Sequence, residues 1–259
     1  VDSVMVPGAL CDTVVVSDAP ELEVVHMPAL EVAPERTTVW RAATLLAEAL
    51  GERPEVRVEV TARIPEKAGL GGSSADAGAV LRALCERWGV SVCDERVVAV
   101  ARRVGADVAF FLDPRPGLYL GAGDVLERTF PEFSMPVALV MPAVGGVSTK
   151  EAYDEFDRAG EDPASYEAVC EALAAGDVAA MAASLFNNLA PAACRLCGDV
   201  WAVSEWLASQ DGVIASMVTG SGACSFAICE SRDAAERIAE AAREHHGWRA
   251  WAAVAGGAE

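Results

Sequence analysis

The residues most suited to chemistry form one glycine-rich stretch, Pro65-Glu-Lys-Ala-Gly-Leu-Gly-Gly-Ser-Ser-Ala-Asp76. The alternating run 56–64 before it predicts a strand, and the run 75–88 after it, rich in alanine, valine and leucine, predicts a buried helix. Glycines let the backbone bend and approach a ligand closely, and Ser73 or Ser74 is expected to cap the helix. Such a loop turns unpaired N–H groups and the positive end of a helix dipole toward an anion, so it predicts a phosphate site.

Two other phosphate-binding loops have a different spacing. No Gly-Lys-Ser/Thr follows the glycines, as it does in a Walker loop, and the stretch lacks the Gly-x-Gly-x-x-Gly of a dinucleotide-binding unit. A plain glycine turn with a serine cap is the structural alternative, because short motifs often occur without function.

Asp107 is the second candidate for chemistry, since it lies between a glycine turn at Gly105 and the apolar run 108–112. A turn aspartate most often caps the segment that follows it, and the functional alternative is a carboxylate held in a partly apolar site. The segment Thr219-Gly-Ser-Gly-Ala-Cys-Ser-Phe226 joins two predicted strands. It is either a hairpin-type turn or a second backbone cradle.

Composition limits the ligands that these segments can bind. With 259 residues, 53% hydrophobic and 23% charged, the chain can form one large domain or two smaller ones. No apolar run reaches the roughly 18 residues of a membrane span and no export signal is visible, so we expect a cytoplasmic protein with no membrane partner. A net charge of −19 argues against nucleic acid. A bound phosphate would then depend on backbone amides, a metal ion and a few basic side chains, because Lys67 and Lys150 are the only lysines.

Eight cysteines in a chain of this length do not predict a disulfide framework. Several lie inside apolar runs and are expected to be small core residues. The CxxC pair of Cys194 and Cys197 has no second pair and no nearby histidine, so no protein metal site is expected. Trp201 and Trp206 are interpreted as core residues.

The remaining patterns predict an α+β protein with strands and helices in both halves. A helical period over 38–50 stops at Gly51, a second helix is expected over 94–104, and 163–209 is helical apart from an interruption at 186–191. Further predicted elements are a glycine-rich hairpin over 117–126, strands over 14–17, 21–27, 137–141, 212–218 and 248–254, a strand ending at Ile228, and a helix over 234–244.

Three segments together resemble motifs of the GHMP kinases, a family of small-molecule kinases. Pro-x-x-x-Gly-Leu-Gly-x-Ser-Ser-Ala over 65–75 is similar to their phosphate loop, Gly-Ala-Asp-Val-x-Phe-Phe over 105–111 to their catalytic segment, and Thr-Gly-Ser-Gly over 219–222 to their third motif. The form Gly-Gly-Ser-Ser-Ala-Asp-Ala is most similar to the branch that phosphorylates CDP-methylerythritol in isoprenoid biosynthesis. The resemblance implies a two-domain fold, with an S5-like N-terminal α+β domain over 1–134 and a ferredoxin-like C-terminal α+β domain over 135–259.

The resemblance also implies roles for individual residues. Asp107 takes the place of the catalytic aspartate, and the family uses ATP with Mg²⁺. The residues implied in ATP binding are Pro65, Glu66, Lys67, Ala68, Gly69, Leu70, Gly71, Gly72, Ser73, Ser74 and Ala75. Those implied in substrate binding are Thr149, Tyr153, Gly220, Ser221 and Gly222, with Tyr153 in the place of an aromatic residue that stacks on cytosine.

The sequence departs from the family at its start. The family begins with a strand carrying Pro-x-Lys-x-Asn-x-x-Leu and a Gly-Tyr-His segment, and neither occurs in residues 1–259. Three readings therefore stay open: a kinase that phosphorylates the 2-hydroxyl of CDP-methylerythritol, a kinase with homoserine, mevalonate or a sugar as acceptor, and a non-catalytic nucleotide-binding relative. The sequence gives no oligomeric state.

Overall fold

The computed structural model describes residues 2–160 and 162–256. The chain divides into two compact units. The first contains the chain up to Met5, Cys11–Ile64 and Gly71–Thr129, and the second contains Val6–Leu10, Pro65–Leu70 and the chain from Phe130 onward. The predicted domains 1–134 and 135–259 stay a prediction, and the compact units differ from them in grouping 6–10, 65–70 and 130–134 with the C-terminal half.

The first unit combines two small sheets with helices. Its strands are β1 Ser3–Met5, β2 Thr13–Asp18, β3 Glu23–Met27, β4 Val56–Thr61, β5 Gly117–Leu120 and β6 Val125–Thr129, and its helices are α1 Thr38–Leu50, α2 Gly72–Trp88 and α3 Glu95–Val104. One sheet has the order β2-β4-β3, with β2 antiparallel and β3 parallel to the central strand β4. The other has the order β1-β5-β6. Short 3-10 turns at Ala106–Val108 and Phe110–Leu112 pack against α2.

The core of the first unit follows from the periodicity of its sequence. On β4 every second residue, Val56, Val58 and Val60, is buried, as period-two alternation requires. The buried faces of the three helices pack on these valines, with Leu46 on α1 and Leu81 on α2 fully enclosed. Burying one side chain of this size contributes roughly 1.5–3 kcal/mol, so this layer holds α2 against the sheet.

The second unit contains one sheet in the order β10-β7-β9-β8, in which each strand is antiparallel to its neighbours. Its strands are β7 Met135–Met141, β8 Val213–Val218, β9 Ser225–Cys229 and β10 Arg249–Ala255, and its helices are α4 Thr149–Ala159, α5 Glu167–Ala175, α6 Val178–Ser184, α7 Ala190–Leu196, α8 Gly198–Ala208 and α9 Arg232–His246. Leu207 of α8 and Ile238 of α9 belong to one buried cluster with Val140 and Ala227 of the sheet.

The structure corrects three sequence-based expectations. Strand β4 ends at Thr61 rather than 64, and α2 begins at Gly72 rather than 75, so neither Ser73 nor Ser74 is its N-cap. Trp201 is 56% exposed because the buried face of α8 is formed by Val200, Val203 and Leu207, whereas Trp201 projects from another face. Within the part of the chain that the structure describes, no helix is both long and apolar enough to cross a membrane.

Candidate active site

The N-terminus of α2 has the main-chain features that an anion site requires. Its N-cap is Gly71, whose left-handed φ of 69° is favourable only for glycine and whose carbonyl accepts from the N–H groups of Ser74 and Ala75. The N–H groups of Gly72 and Ser73 precede the first intrahelical bond, and no acceptor for them lies among the described residues. Both are therefore available to a ligand, at the end of the helix where the dipole favours negative charge.

Close packing explains why this turn is glycine-rich. An added β-carbon at Gly71 would lie 3.3 Å from the ring of Phe111, and one at Gly72 would lie 3.0 Å from the side chain of Ile64. Nearly two turns further along α2, a β-carbon at Gly78 would meet the β-carbon of Phe111 at 2.4 Å. The glycines let α2 lie directly against the segment that follows Asp107. The hydroxyl of Thr38, at the start of α1, donates to the carbonyl of Ser73 (2.7 Å) and holds the same turn from the other side.

Asp107 lies in the 3-10 turn Ala106–Val108, which packs against α2. An added β-carbon at Gly123 would lie 3.9 Å from Asp107 Oδ1. Two residues before Asp107, an added β-carbon at Gly105 would lie 4.0 Å from Ser74 Oγ on α2. Asp107 is exposed as a residue, yet the protein atoms around its carboxyl remove enough water to raise its pKa above the ordinary value. Asp107 therefore carries a carboxyl group of raised pKa in a turn that packs against α2.

The second unit contains the other half of the glycine-rich stretch, tied to the 219–224 turn. The carbonyls of Lys67 and Ala68 accept from the N–H groups of Ala223 (3.0 Å) and Cys224 (3.1 Å). The carbonyl of Gly69 accepts from the hydroxyl of Thr219 (3.2 Å). These hydrogen bonds connect successive residues of the two segments, so two motifs about 150 residues apart in sequence are held side by side.

Two residues of this backbone have special conformations. Gly69 has a φ of 73°, and an added β-carbon there would lie 2.2 Å from the carbonyl oxygen of Thr219. Lys67 has a φ of 53°, which is rare for a residue with a side chain, and an added β-carbon at Gly146 would lie 2.6 Å from its β-carbon. A strained residue of this kind usually persists because its surroundings hold it in place, and it often marks a functional site.

The predicted substrate residues of the second unit lie around the same turn or on α4. The hydroxyls of Thr149 and Ser221 are hydrogen-bonded to each other (3.0 Å), with Ser221 buried and Thr149 exposed. Gly220 is exposed and has a φ of 53°, and Gly222 is buried with a φ of 84°. Tyr153 is half-buried on α4.

The sequence analysis assigned no role to two polar residues, Asn187 and Asp76, that lie in or beside the two glycine-rich segments. Asn187, interpreted as part of a helix junction, donates through Nδ2 to the carbonyls of Val218 (2.7 Å) and Gly220 (2.8 Å), so it holds the third motif. Asp76 is buried on α2 beside Asp12. A helical projection of α2 gives a signal for Asp76, because Asp76 lies on the same face as buried Val80.

The residues present fit a nucleotide phosphate with its magnesium ion. Unpaired N–H groups at the start of α2 suit phosphate oxygens. The carboxyl of Asp107 and the hydroxyl of Ser74 are the hard oxygen donors that Mg²⁺ prefers. Among the described residues, no group of three His, Cys, Asp or Glu side chains could hold a metal ion. A magnesium ion carried by substrate phosphates needs only one or two carboxylates from the protein, so this finding is compatible with a nucleotide site.

The first unit offers unpaired main-chain N–H groups at a glycine-rich helix start and a carboxyl group in a turn packed on that helix, and these features suit phosphoryl transfer by a small-molecule kinase. Family models agree with this class: residues 37–113 match the GHMP kinases N-terminal domain and residues 169–247 match the GHMP kinases C-terminal domain. The chain belongs to the GHMP kinases.

Within that family the chain is similar to 4-diphosphocytidyl-2-C-methyl-D-erythritol kinases. It is 34% identical to that of Desulfitobacterium hafniense, over 81% of this chain and 73% of the relative, and 36% identical to that of Pelotomaculum thermopropionicum, over 78% and 70%. A crystal structure of 4-(cytidine 5'-diphospho)-2C-methyl-D-erythritol kinase superposes with a TM-score of 0.81 at 33% identity, covering 99% of this chain and 90% of that one. The predicted two-domain α+β GHMP kinase fold is confirmed.

Proposed function

We propose that the protein transfers the γ-phosphoryl group of ATP, bound with Mg²⁺, to the 2-hydroxyl of 4-diphosphocytidyl-2-C-methyl-D-erythritol. The acceptor follows from the relatives, which carry the name of that kinase at 34% and 36% identity. The reaction class rests on one observation in the first unit. The turn that carries Asp107 packs against α2, the helix whose Gly72 and Ser73 N–H groups have no acceptor among the described residues.

Each part has a role that its chemistry supports. Phosphoryl transfer requires positioning and charge stabilisation more than covalent help from the protein. The N–H groups and the dipole of α2 bind phosphate oxygens and stabilise the charge that develops on them. Asp107 accepts or orients the proton of the attacking hydroxyl, and its raised pKa brings it closer to the basicity that proton transfer at neutral pH favours. Magnesium, when bound with the nucleotide, neutralises phosphate charge.

The second unit contributes further backbone to the proposed function. Lys67, Ala68 and Gly69 are held by the 219–224 turn, and Asn187 holds that turn in place. We propose that Gly220, Ser221 and Gly222 contact the acceptor or the transferred phosphoryl group, with Thr149 supporting Ser221. Tyr153 is proposed to stack on the cytosine ring, which an aromatic side chain on a helix surface can do without further hydrogen bonds.

The experiment replaces Asp107 with asparagine and measures ADP release with CDP-methylerythritol, homoserine and mevalonate in turn. D107N keeps the size of the side chain but cannot accept a proton, so we expect kcat to fall about 10²- to 10⁴-fold. ATP affinity, measured by calorimetry without Mg²⁺, should change little. The matched control is D113N, because Asp113 is an exposed aspartate nearby that is ion-paired with Arg115.

The outcomes separate the three readings. Turnover by the wild type with homoserine or mevalonate alone would reject the proposed acceptor. ATP binding without turnover on any acceptor would favour the non-catalytic reading. Full activity of D107N would remove Asp107 from the reaction.

A further inference from the structure

The tip of the β5–β6 hairpin, residues 121–124, lies against the carboxyl group of Asp107. An added β-carbon on Gly123 would stand 3.9 Å from Asp107 Oδ1, which is ordinary van der Waals contact, and 3.3 Å from the terminal methyl group of Met5. Gly123 is buried and has a φ of 89°. The proposed reaction assigns no role to this hairpin.

Packing, rather than hydrogen bonding, determines where the Asp107 carboxyl group points. The part of the chain that the structure describes contains no side-chain hydrogen bond or ion pair to its oxygens. The terminal torsion of an aspartate side chain is soft. The atoms that contact Oδ1 therefore limit the orientations that this carboxyl group can adopt, and the hairpin tip is one of these contacts.

The tip has hydrogen bonds of its own. The N–H groups of Gly123 and Asp124 donate to the carbonyl of Leu120 (3.1 and 3.2 Å). The N–H of Ala122 donates to Asp124 Oδ1 (3.1 Å). These three bonds give the tip its shape, but none of them connects it to the segment that contains Asp107.

Arg102 of α3 makes that connection. Its Nε donates to the backbone carbonyl of Asp124 (3.2 Å) and lies 3.6 Å from Asp124 Oδ2. Arg102 is in the last turn of α3, a helix whose opposite face is buried in the core of the first unit, and Asp107 lies in the turn that follows this helix. One helix end therefore leads into Asp107 and also binds the hairpin tip that faces it.

We propose that Arg102, through Asp124, is a positioning residue for the proposed reaction: it holds the hairpin tip against Asp107, so that the carboxyl group keeps its orientation toward the attacking hydroxyl. The inference rests on the proposed function, since it concerns how a residue of the same site is held. A displacement of about 1 Å at a reacting group can lower the rate about 10²-fold. An exposed ion pair contributes little to stability, and the Arg102 side chain is 42% exposed. The effect on rate should therefore exceed the effect on stability.

The first test replaces Arg102 with glutamine and measures kcat and both KM values with ATP, Mg²⁺ and CDP-methylerythritol. We expect kcat to fall about tenfold to 10²-fold. The KM for ATP should change little, because the N–H groups at the start of α2 are untouched. The Tm should fall by no more than about 4 °C, as expected for the loss of an exposed pair. R102K keeps a cation that can reach one of the two acceptors on Asp124, so it should recover part of the lost kcat.

Arg96 provides the matched control on the same helix. It is an exposed arginine at the other end of α3 and forms an ion pair with Asp94. R96Q should keep the wild-type kcat. An equal loss of kcat in R96Q and R102Q would show that any weakening of α3 has this effect, and it would contradict the role given to Arg102.

A double-mutant cycle tests whether Arg102 acts through Asp124. Asp124→Asn removes the carboxylate but keeps the backbone carbonyl that accepts from Arg102, so its kcat should fall less than that of R102Q. The double variant R102Q/D124N should be no slower than R102Q, because both substitutions remove the same contact. Multiplicative losses would mean that the two side chains act separately, and the inference would be rejected.

Hydrogen exchange tests the hairpin tip without any turnover. The N–H groups of Gly123 and Asp124 exchange when the tip opens. In R102Q their exchange should become about three- to thirtyfold faster, the range for losing an exposed ion pair together with a hydrogen bond from a charged group. Added salt should speed this exchange in the wild type more than in R102Q, because salt screens an exposed pair.

The exchange and rate measurements separate failure of this inference from failure of the proposed function. Wild-type exchange at the tip of R102Q would overturn the inference whatever the kinetics show. Faster exchange with an unchanged kcat would overturn it as well, since the tip would then not position Asp107. If the wild type turned over none of the acceptors, the proposed function would be rejected, and the exchange rates alone would show whether Arg102 holds the tip.

Discussion

Replacing Gly69 with alanine tests whether the close approach of Gly69 to the 219–222 turn stabilises the second unit. Gly69 has a φ of 73°, and a β-carbon at this position would lie 2.2 Å from the carbonyl oxygen of Thr219. That oxygen accepts from the N–H of Gly222 (2.9 Å), so it cannot move away without weakening a bond that closes the turn. A single methyl group should therefore disturb the phosphate loop and the third motif together.

The expected loss of stability is the sum of two terms. Placing alanine in the left-handed region costs roughly 1–2 kcal/mol. Moving the carbonyl of Thr219 away from the added methyl group weakens its hydrogen bond from the N–H of Gly222. Leaving a buried polar group without its partner costs about 1–3 kcal/mol more. The total is about 2–5 kcal/mol. At roughly 2–4 °C per kcal/mol for a domain of 150–250 residues, the Tm should fall by about 4–20 °C.

Gly176 provides the matched control in the same unit. Its φ is 67°, and nothing lies within 4 Å of an added β-carbon, so G176A carries only the conformational cost. Melting curves followed by circular dichroism should place G69A clearly below G176A. Nucleotide affinity should fall in G69A alone. If the two variants melt within about 1 °C of each other, the clash with Thr219 is not real and the reasoning fails.

Three further outcomes follow from the structure. Since the pKa of Asp107 is raised, the acid limb of the kcat profile should lie above the ordinary aspartate range, and rate measurements between pH 4 and 7 would show it. Asn187→Ala removes three hydrogen bonds with the backbone, those donated to Val218 and Gly220 and the one accepted from Leu189, and should cost about 1–3 kcal/mol by denaturant unfolding while lowering acceptor affinity. Glu155 accepts from Arg158 and Arg195, which hold its pKa below the ordinary value. Its contribution is present at neutral pH and lost on acidification, so the Tm difference between wild type and E155Q should shrink as pH falls below about 4.

Much of the fold could be predicted because its signals are local. Helix α1 begins and ends where the sequence indicates, with Thr37 accepting from the N–H of Trp40 at one end and Gly51 in the left-handed region at the other. The start of α2 was mispredicted for a local reason as well. Gly71 adopts the left-handed conformation and caps the helix through its backbone, so the serines that resemble caps lie inside the first turn.

The sequence does not reveal which strands and side chains that are distant in the chain become neighbours in the fold. Strands β2 and β3 follow each other in the chain, yet β4 lies between them in the sheet. The neighbours Asp12 and Asp76 are separated by 64 positions in the chain. Periodicity marks Asp76 as a polar residue on an apolar face, but only the folded chain identifies its partner.

The free N–H groups of Gly72 and Ser73 have a consequence for how the protein can change. A donor supplied by the main chain is present whatever side chain is attached, and only proline removes it. Most substitutions in this turn therefore leave the donors intact and act by adding bulk, which the surrounding packing resists. An inhibitor that bound through these two groups would leave the protein few routes to resistance that preserve its own binding of phosphate.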